Sequence, residues 1–188
     1  MIYDSLHYCT QELDRYLKFR FSVAETKAVV GKIVDESGSI PAENQNKIIL
    51  SLVNLEPETN RPYTSVQRPE GAQDIQQRQP YSFNMHVLVS ALFEDYGEAL
   101  KMLSEAVYFF QAKQEFTHEN SPGLNPAIQR LTFEFMKVEY SEMHNIWASL
   151  GARYLPSALF KVRMLSFKGG EIDGIQVHSR IDEQIKPL

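Results

Sequence analysis

Pro80–Phe93, PYSFNMHVLVSALF, followed almost at once by Tyr96–Lys113, YGEALKMLSEAVYFFQAK, is the stretch that decides the fold. In the first piece Tyr81, Phe83, Met85, Val87, Val89 and Ala91 alternate with Ser82, Asn84, His86 and Ser90. A period of two marks a β-strand with two unlike faces. Its polar row can face solvent, a channel or another subunit. In the second piece Ala99, Leu100, Leu103, Ala106, Val107 and Phe110 recur at helical spacing and form one stripe. A strand that feeds directly into an amphipathic helix places that helix over the same sheet.

Working toward the N-terminus, KIILSLVNLE (Lys47–Glu56) has apolar residues at both odd and even positions. That predicts a central strand covered on both sides. KAVVGKIV (Lys27–Val34) predicts another strand, and DESGS (Asp35–Ser39) a turn in which Gly38 tolerates positive φ. The first residues form a helix with Ile2, Leu6, Cys9, Leu13, Tyr16, Leu17 and Phe21 on one face. Asp4 near its start and Lys18 and Arg20 near its end suit the helix dipole.

Toward the C-terminus, two prolines and a glycine in Asn120–Pro126 predict a tight, ordered loop. LTFEFMKVEY (Leu131–Tyr140) reads as a strand. Ser141 is placed to cap a short helix over Glu142–Leu150, with Ile146, Trp147 and Leu150 apolar and Gly151 stopping it. ALFKVRMLSF (Ala158–Phe167) is the last strand. The expected organisation is one domain over residues 1–168 and a tail or arm over 169–188. The expected fold class is α/β of the α+β kind, a mixed, mainly antiparallel sheet flanked by helices.

Two stretches break the pattern. Residues 57–79 carry Pro57, Pro62 and Pro69 among Gln, Arg, Glu and Thr, with only Tyr63, Val66 and Ile75 apolar and sizeable. Such a segment cannot bury enough surface to offset its ordering entropy. It is either a flexible hairpin connection or an arm that orders on a partner. The tail after Gly169–Gly170 alternates sparse isoleucines and a valine with charges.

Composition narrows the function classes. The chain has 188 residues, 43% of them hydrophobic and 23% charged, with a net charge of −5. Globular averages exclude a mainly disordered or collagen-like chain. An acidic balance argues against a nucleic-acid partner, which calls for a basic face. The single Cys9 excludes an intrachain disulfide and points to a reducing compartment. Asp4, Glu12, Asp14 and Arg15 interrupt the start, so no signal peptide is read there, and no apolar stretch reaches the roughly 20 residues that span a bilayer. A cytoplasmic protein without a membrane partner is expected.

Catalytic chemistry finds little support. His7, His86, His118, His144 and His178 form no metal-ligand spacing. No G-x-S-x-G elbow occurs, and Gly123 stands alone, so no phosphate cradle forms. Cys9 lies on the apolar helix face, where an inert thiol is expected. Glu134 and Glu139 sit an odd number of residues apart and cannot act as a pair on one strand face. The expectation is no enzyme, no cofactor and no metal, and a binding or structural role.

Several pieces together resemble a known family. They are MIYDSLHYCTQELDRYLKFRF, ENQNKIILSLVNLEPE, the strand and helix from Tyr81 to Gln111, FTHENSPGLNP and IWASLGARYLPSALFKVRML. The order resembles the cap, or tail terminator, proteins of contractile injection systems, phage-tail-like particles such as the antifeeding prophage and the Photorhabdus virulence cassettes. The resemblance runs from about Met1 to Phe167. It implies a phage tail terminator-like fold and a structural subunit without enzyme activity or cofactor. Such subunits form a hexameric ring that ends inner tube and sheath at the baseplate-distal end and stops their polymerisation. The implied partners are further copies of the chain, sheath and inner tube. The implied location is the cytoplasm, then a particle that can be released.

Candidate interaction residues follow from both readings. In the proline-rich stretch they are Arg61, Tyr63, Arg68 and Arg78. In the tight loop they are Asn120, Pro122 and Gly123, where a rigid turn is the alternative. Arg153 and Tyr154 either pin that loop or line an interface. Ile172, Ile175 and Val177 complete the set in the tail. A stand-alone adaptor that binds a peptide or effector along a sheet edge is the alternative function.

Overall fold

The computed structural model describes residues 1–58 and 81–167, with side chains described for 1–58 and 82–163. Residues 59–80 and 168–188 lie outside the described residues, and with them Arg61, Tyr63, Arg68, Arg78, Ile172, Ile175 and Val177.

Element order is α1 (Ile2–Phe21), β1 (Ala28–Val30), a 3-10 turn (Ala42–Asn44), β2 (Lys47–Pro57), β3 (Tyr81–Leu92), α2 (Tyr96–Ala112), β4 (Glu115–Thr117), β5 (Arg130–Phe135), α3 (Tyr140–Leu150) and β6 (Ser157–Phe167). The six strands form one sheet in the order β1-β2-β3-β6-β5-β4. β1 runs parallel to β2, and all other neighbours are antiparallel. This is the expected mixed, mainly antiparallel sheet flanked by helices.

One face of the sheet carries α1 and α2. Leu6, Cys9, Leu13 and Leu17 of α1 and Ala99, Met102, Ala106, Phe109 and Phe110 of α2 are buried there. They meet Ile48, Leu50, Met85, Val87, Val89, Phe133, Phe160 and Val162 from the strands. Aromatic rings tie α2 to the far half of the sheet: Phe110 stacks on Phe133 at 4.3 Å between centroids, and Phe116 lies 5.5 Å from the same ring. The α2 stripe is rotated from the expected one. Leu100 is 42% exposed, whereas Met102 and Phe109, absent from the expected stripe, are buried. Asp95 starts α2 by accepting the Glu98 N–H at 2.6 Å.

Among the described residues the opposite face is only partly covered. A smaller core of Ile33, Leu88, Trp147 and Leu159 sits under α3, with Val53, Met143, Ile146 and Leu150 packed against it. Gly151, at φ 64°, ends α3 in the left-handed conformation that glycine tolerates.

Five local expectations are corrected. β1 spans three residues rather than Lys27–Val34, because the chain leaves the sheet after Gly31 to bury Ile33 on the α3 face. β2 is covered on both sides only through Ser51; Leu52 and Leu55 are each 38% exposed. The strand expected over Leu131–Tyr140 stops at Phe135, and α3 is capped by Glu139, not Ser141. Glu139 and Glu142 form a reciprocal capping box, with the Glu139 N–H 3.3 Å from Glu142 Oε2. The polar row of β3 does not face solvent: Ser82, Asn84 and Ser90 are buried. β4 itself was not expected, since three residues are too short to show a period.

Candidate interaction surface

A sheet ends in backbone groups that no strand has paired, and proteins manage such edges explicitly. β4 is one edge. Phe133 N–H donates to the Gln114 carbonyl at 2.8 Å, so the intervening Glu115 carbonyl points away from β5. The Asn120 carboxamide meets the outward groups. Its Nδ2 donates to the Glu115 carbonyl at 3.0 Å, and its Oδ1 accepts the Thr117 N–H at 3.0 Å. One side chain therefore stands where a further strand would lie.

The same loop is tied to its surroundings. Lys113 Nζ donates to the Asn120 carbonyl at 3.3 Å, and Asn125 Nδ2 to Asp4 Oδ2 at 3.2 Å. Ser121, Leu124 and Ile128 are buried. A Cβ on Gly123 would lie 2.9 Å from Tyr8 Cε2, so glycine permits the close approach to α1. The Asn120 carboxamide is thus committed inside its own loop, although Asn120, like Pro122 and Gly123, is exposed.

The opposite edge differs along its length. At its start Asp14 Oδ1 accepts the N–H groups of Lys27 at 2.6 Å and Ala28 at 3.1 Å, closing the entry to β1. β1 then pairs with β2 no further than Leu50. From Leu52 to Pro57, no described strand lies on the outer side of β2. A bulge at Val53–Asn54 separates the two halves of the strand.

On the face shared with α3, a charged band crosses four adjacent strands. Glu56 contacts both Lys161 and His86, the latter at 3.4 Å. Glu58 accepts from Asn84 Nδ2 at 2.9 Å and lies 3.6 Å from Arg163. Arg163 also meets Glu134 at 2.7 Å. Three carboxylates thus face two permanent cations and one imidazole. The Lys161 ammonium holds the Glu56 carboxyl below its ordinary range, against partial burial and with help from His86. Sequence reading missed this band. Its signal was present as Glu56/Glu58 and Lys161/Arg163, opposite charges each spaced by two on separate strands.

Arg153 and Tyr154 belong to neither edge. Both are exposed, and the Tyr154 ring meets Trp147 edge-on at 5.6 Å, on the α3 face. They lie on the other side of the sheet from the Asn120 loop, which rests on α1, so of the two roles expected for them, pinning that loop or lining an interface, the first is not made. Among the described residues no group of His, Cys, Asp and Glu suited to a metal occurs, and no helix is long and apolar enough to cross a membrane. Cys9 is fully buried, which pushes its thiol pKa up and leaves it unreactive. The arrangement can bind through backbone edges and paired charges.

No curated protein matches this chain. Among solved structures, the fold is similar to that of the sheath/tube terminator of PVC, an extracellular contractile injection system, determined by cryo-EM in the extended state. The TM-score is 0.51 and the identity 13%, over 100% of this chain and 65% of that one. The chain therefore spans less than two thirds of that neighbour's length, and at this identity the likeness speaks for the fold. The family model described as the Pvc16 N-terminal domain matches residues 9–176. That match takes in all six strands and all but the first turns of α1, and the chain belongs to the Pvc16 N-terminal domain family.

Proposed function

We propose that this chain is a terminator subunit of a contractile injection system, a structural protein that ends sheath and inner tube at the baseplate-distal end. Its family membership, joined to a fold like that of a sheath/tube terminator, carries this reading. In it, copies of the chain form a closed, hexameric ring that stops further polymerisation. The chain would be made in the cytoplasm and leave with the particle.

Surface chemistry supports the reading. A cyclic ring joins one patch of a subunit to a different patch of the next. The two sheet edges differ in this way: one is filled by Asn120, and the other has no strand beyond Leu50 among the described residues. The charged band cancels most of its own charge, which suits a protein surface better than a nucleic acid. The stretch 57–79, with Arg61, Tyr63, Arg68 and Arg78, is the candidate arm toward sheath or tube.

Imaging the baseplate-distal end of particles made with and without the chain tests the proposal. The expected result is an extra end layer with the chain and particles of uncontrolled length without it. Normal length without the chain overturns the reading, and a lone monomer in the cell would favour the peptide-binding adaptor. Deleting Thr59–Gln76 should leave the domain folded yet impair capping; normal capping would remove the arm from the scheme.

A further inference from the structure

β1 is the outermost strand on its side of the sheet, and several of its backbone groups have no partner among the described residues. Ile48 N–H donates to the Lys27 carbonyl at 2.8 Å, and Gly31 N–H to the Leu50 carbonyl at 3.2 Å. In a parallel pair that rhythm turns Val29 toward β2 and Ala28 and Val30 outward. Asp14 accepts the Ala28 N–H, which leaves the Ala28 carbonyl and both groups of Val30. Further along the same side, the bulge shifts the outward groups of β2 from Leu52 to Leu55 and Pro57, because Glu58 N–H turns inward to the Ser82 carbonyl.

The β1 edge lies at the base of a slot with two unlike walls. Ala28 and Val30 place their side chains on the α1 face with Ile48 and Leu50, and Val29 places its own on the α3 face. On the α1 side a cavity of about 600 Å³ opens beside the edge. His7, Arg15 and Lys18 line it against the single carboxylate of Asp14, which Lys18 Nζ meets at 2.8 Å. Arg15 contacts Glu12 yet is 74% exposed. Thr10 Oγ1, buried and without a hydrogen-bond partner, lines the same cavity.

The other wall is residues 32–44, which leave the sheet on the α3 face, where Ile33 is buried. A cavity of about 540 Å³ there touches Val29 and Val30, and Asp35, Glu36 and Glu43 line it against Lys32. Asp35 accepts the Ser37 hydroxyl at 2.6 Å and the Ser39 N–H at 2.9 Å, and these bonds hold its carboxyl below the usual range. One wall is therefore cationic and the other anionic.

We propose that the β1 edge is a strand-addition site for an extended segment of another protein whose charges alternate. Residues opposite Ala28 and Val30 are acidic and meet the α1 wall, and the residue opposite Val29 is basic and meets the anionic wall. Strand addition takes affinity from main-chain bonds and specificity from alternate side chains. Asp14 fixes where the added strand begins, since it already holds the Ala28 N–H. Such a site stands on β1 and its two walls and does not depend on the terminator reading.

The probe is a capped octapeptide of alternating Glu and Lys, titrated to millimolar concentration into the full chain and followed by amide NMR. The Val30 amide should shift progressively, and the Ala28 amide, already bonded to Asp14, far less. A peptide of the same composition in two blocks, and the alternating peptide N-methylated at every residue, should both leave Val30 in place. Arg15→Glu and Glu36→Lys, each at an exposed side chain, should each weaken binding about twofold to fivefold. Val30→Pro removes an outward N–H, as edge strands tolerate; it should stay folded by circular dichroism and bind about fivefold more weakly. An unmoved Val30 amide at millimolar peptide overturns the proposal, as does an equal response to the block peptide, which would reduce the contact to charge. A Val30 amide already protected in the monomer, or one that shifts when the chain alone is concentrated, would put this chain's own residues on the edge and overturn it as well.

Discussion

The two ends of the sheet solve the same problem in opposite ways. At β4 an asparagine from a short loop occupies the outward backbone groups, and the loop is sewn to α1 and α2. At β2 the neighbouring strand leaves after Gly31 and the outward groups of Leu52 and Leu55 remain open among the described residues. An edge filled by a local side chain contributes to the stability of the monomer. An edge left open contributes nothing until another chain arrives, so mutations at the two ends should separate stability from association.

The largest effect is expected at the closed end. Phe116 is the inward residue of β4, fully buried beneath Lys113 and beside Phe133. Phe116→Ala should cost about 3–5 kcal/mol in denaturant unfolding. A cost below about 1 kcal/mol would mean that β4 is an ornament on the core rather than part of it. Asn120→Ala comes next. It orphans the Thr117 N–H and the Glu115 carbonyl, and about 1–2 kcal/mol should be lost, with faster amide exchange at Thr117. Unchanged exchange there would remove the distinction between the ends.

At the open end, Leu55→Ser should leave monomer stability within about 0.5 kcal/mol. The Leu55 amide should exchange quickly in the monomer and slowly in the assembled protein. Slow exchange in a verified monomer would show that the edge is already covered. The smallest effect is electrostatic. Lys161 lowers the Glu56 pKa in the folded state, so this pair stabilises at pH above the ordinary glutamate range. That contribution is lost as pH falls through the lowered value. Lys161→Met should therefore flatten the acid limb of a stability-versus-pH curve, modestly, because water screens a carboxylate that is 35% exposed. An identical acid limb in both proteins would mean that Glu56 gains nothing from its partner.

Legibility in the sequence followed the length of the signal. α1, α2 and β3 were readable because many residues repeat one period against a single large core. β2 was half readable: KIILSLVNLE has apolar residues at odd and even positions alike, and nothing in it says that β1 ends opposite Leu50. The cap of α3 was missed because Glu139 competes with Ser141, and the reciprocal bond to Glu142 decided for the glutamate. β4 and the role of Asn120 needed coordinates, since three residues have no period and a side chain that mimics a strand leaves no pattern. The charged band was legible only after β2, β3, β6 and β5 had been set side by side.

The bulge at Val53–Asn54 has a geometric consequence. A smooth edge lets an incoming strand slide by two residues and keep the same faces, so each junction could settle at its own offset. An edge interrupted by one extra residue offers a single matching position. If each copy attaches to the next at that position, every junction repeats one rotation and one rise. A repeated rotation without rise closes on itself after a fixed number of copies, whereas variable offsets would give open spirals. A one-residue irregularity in a strand would thereby hold all such junctions to one geometry.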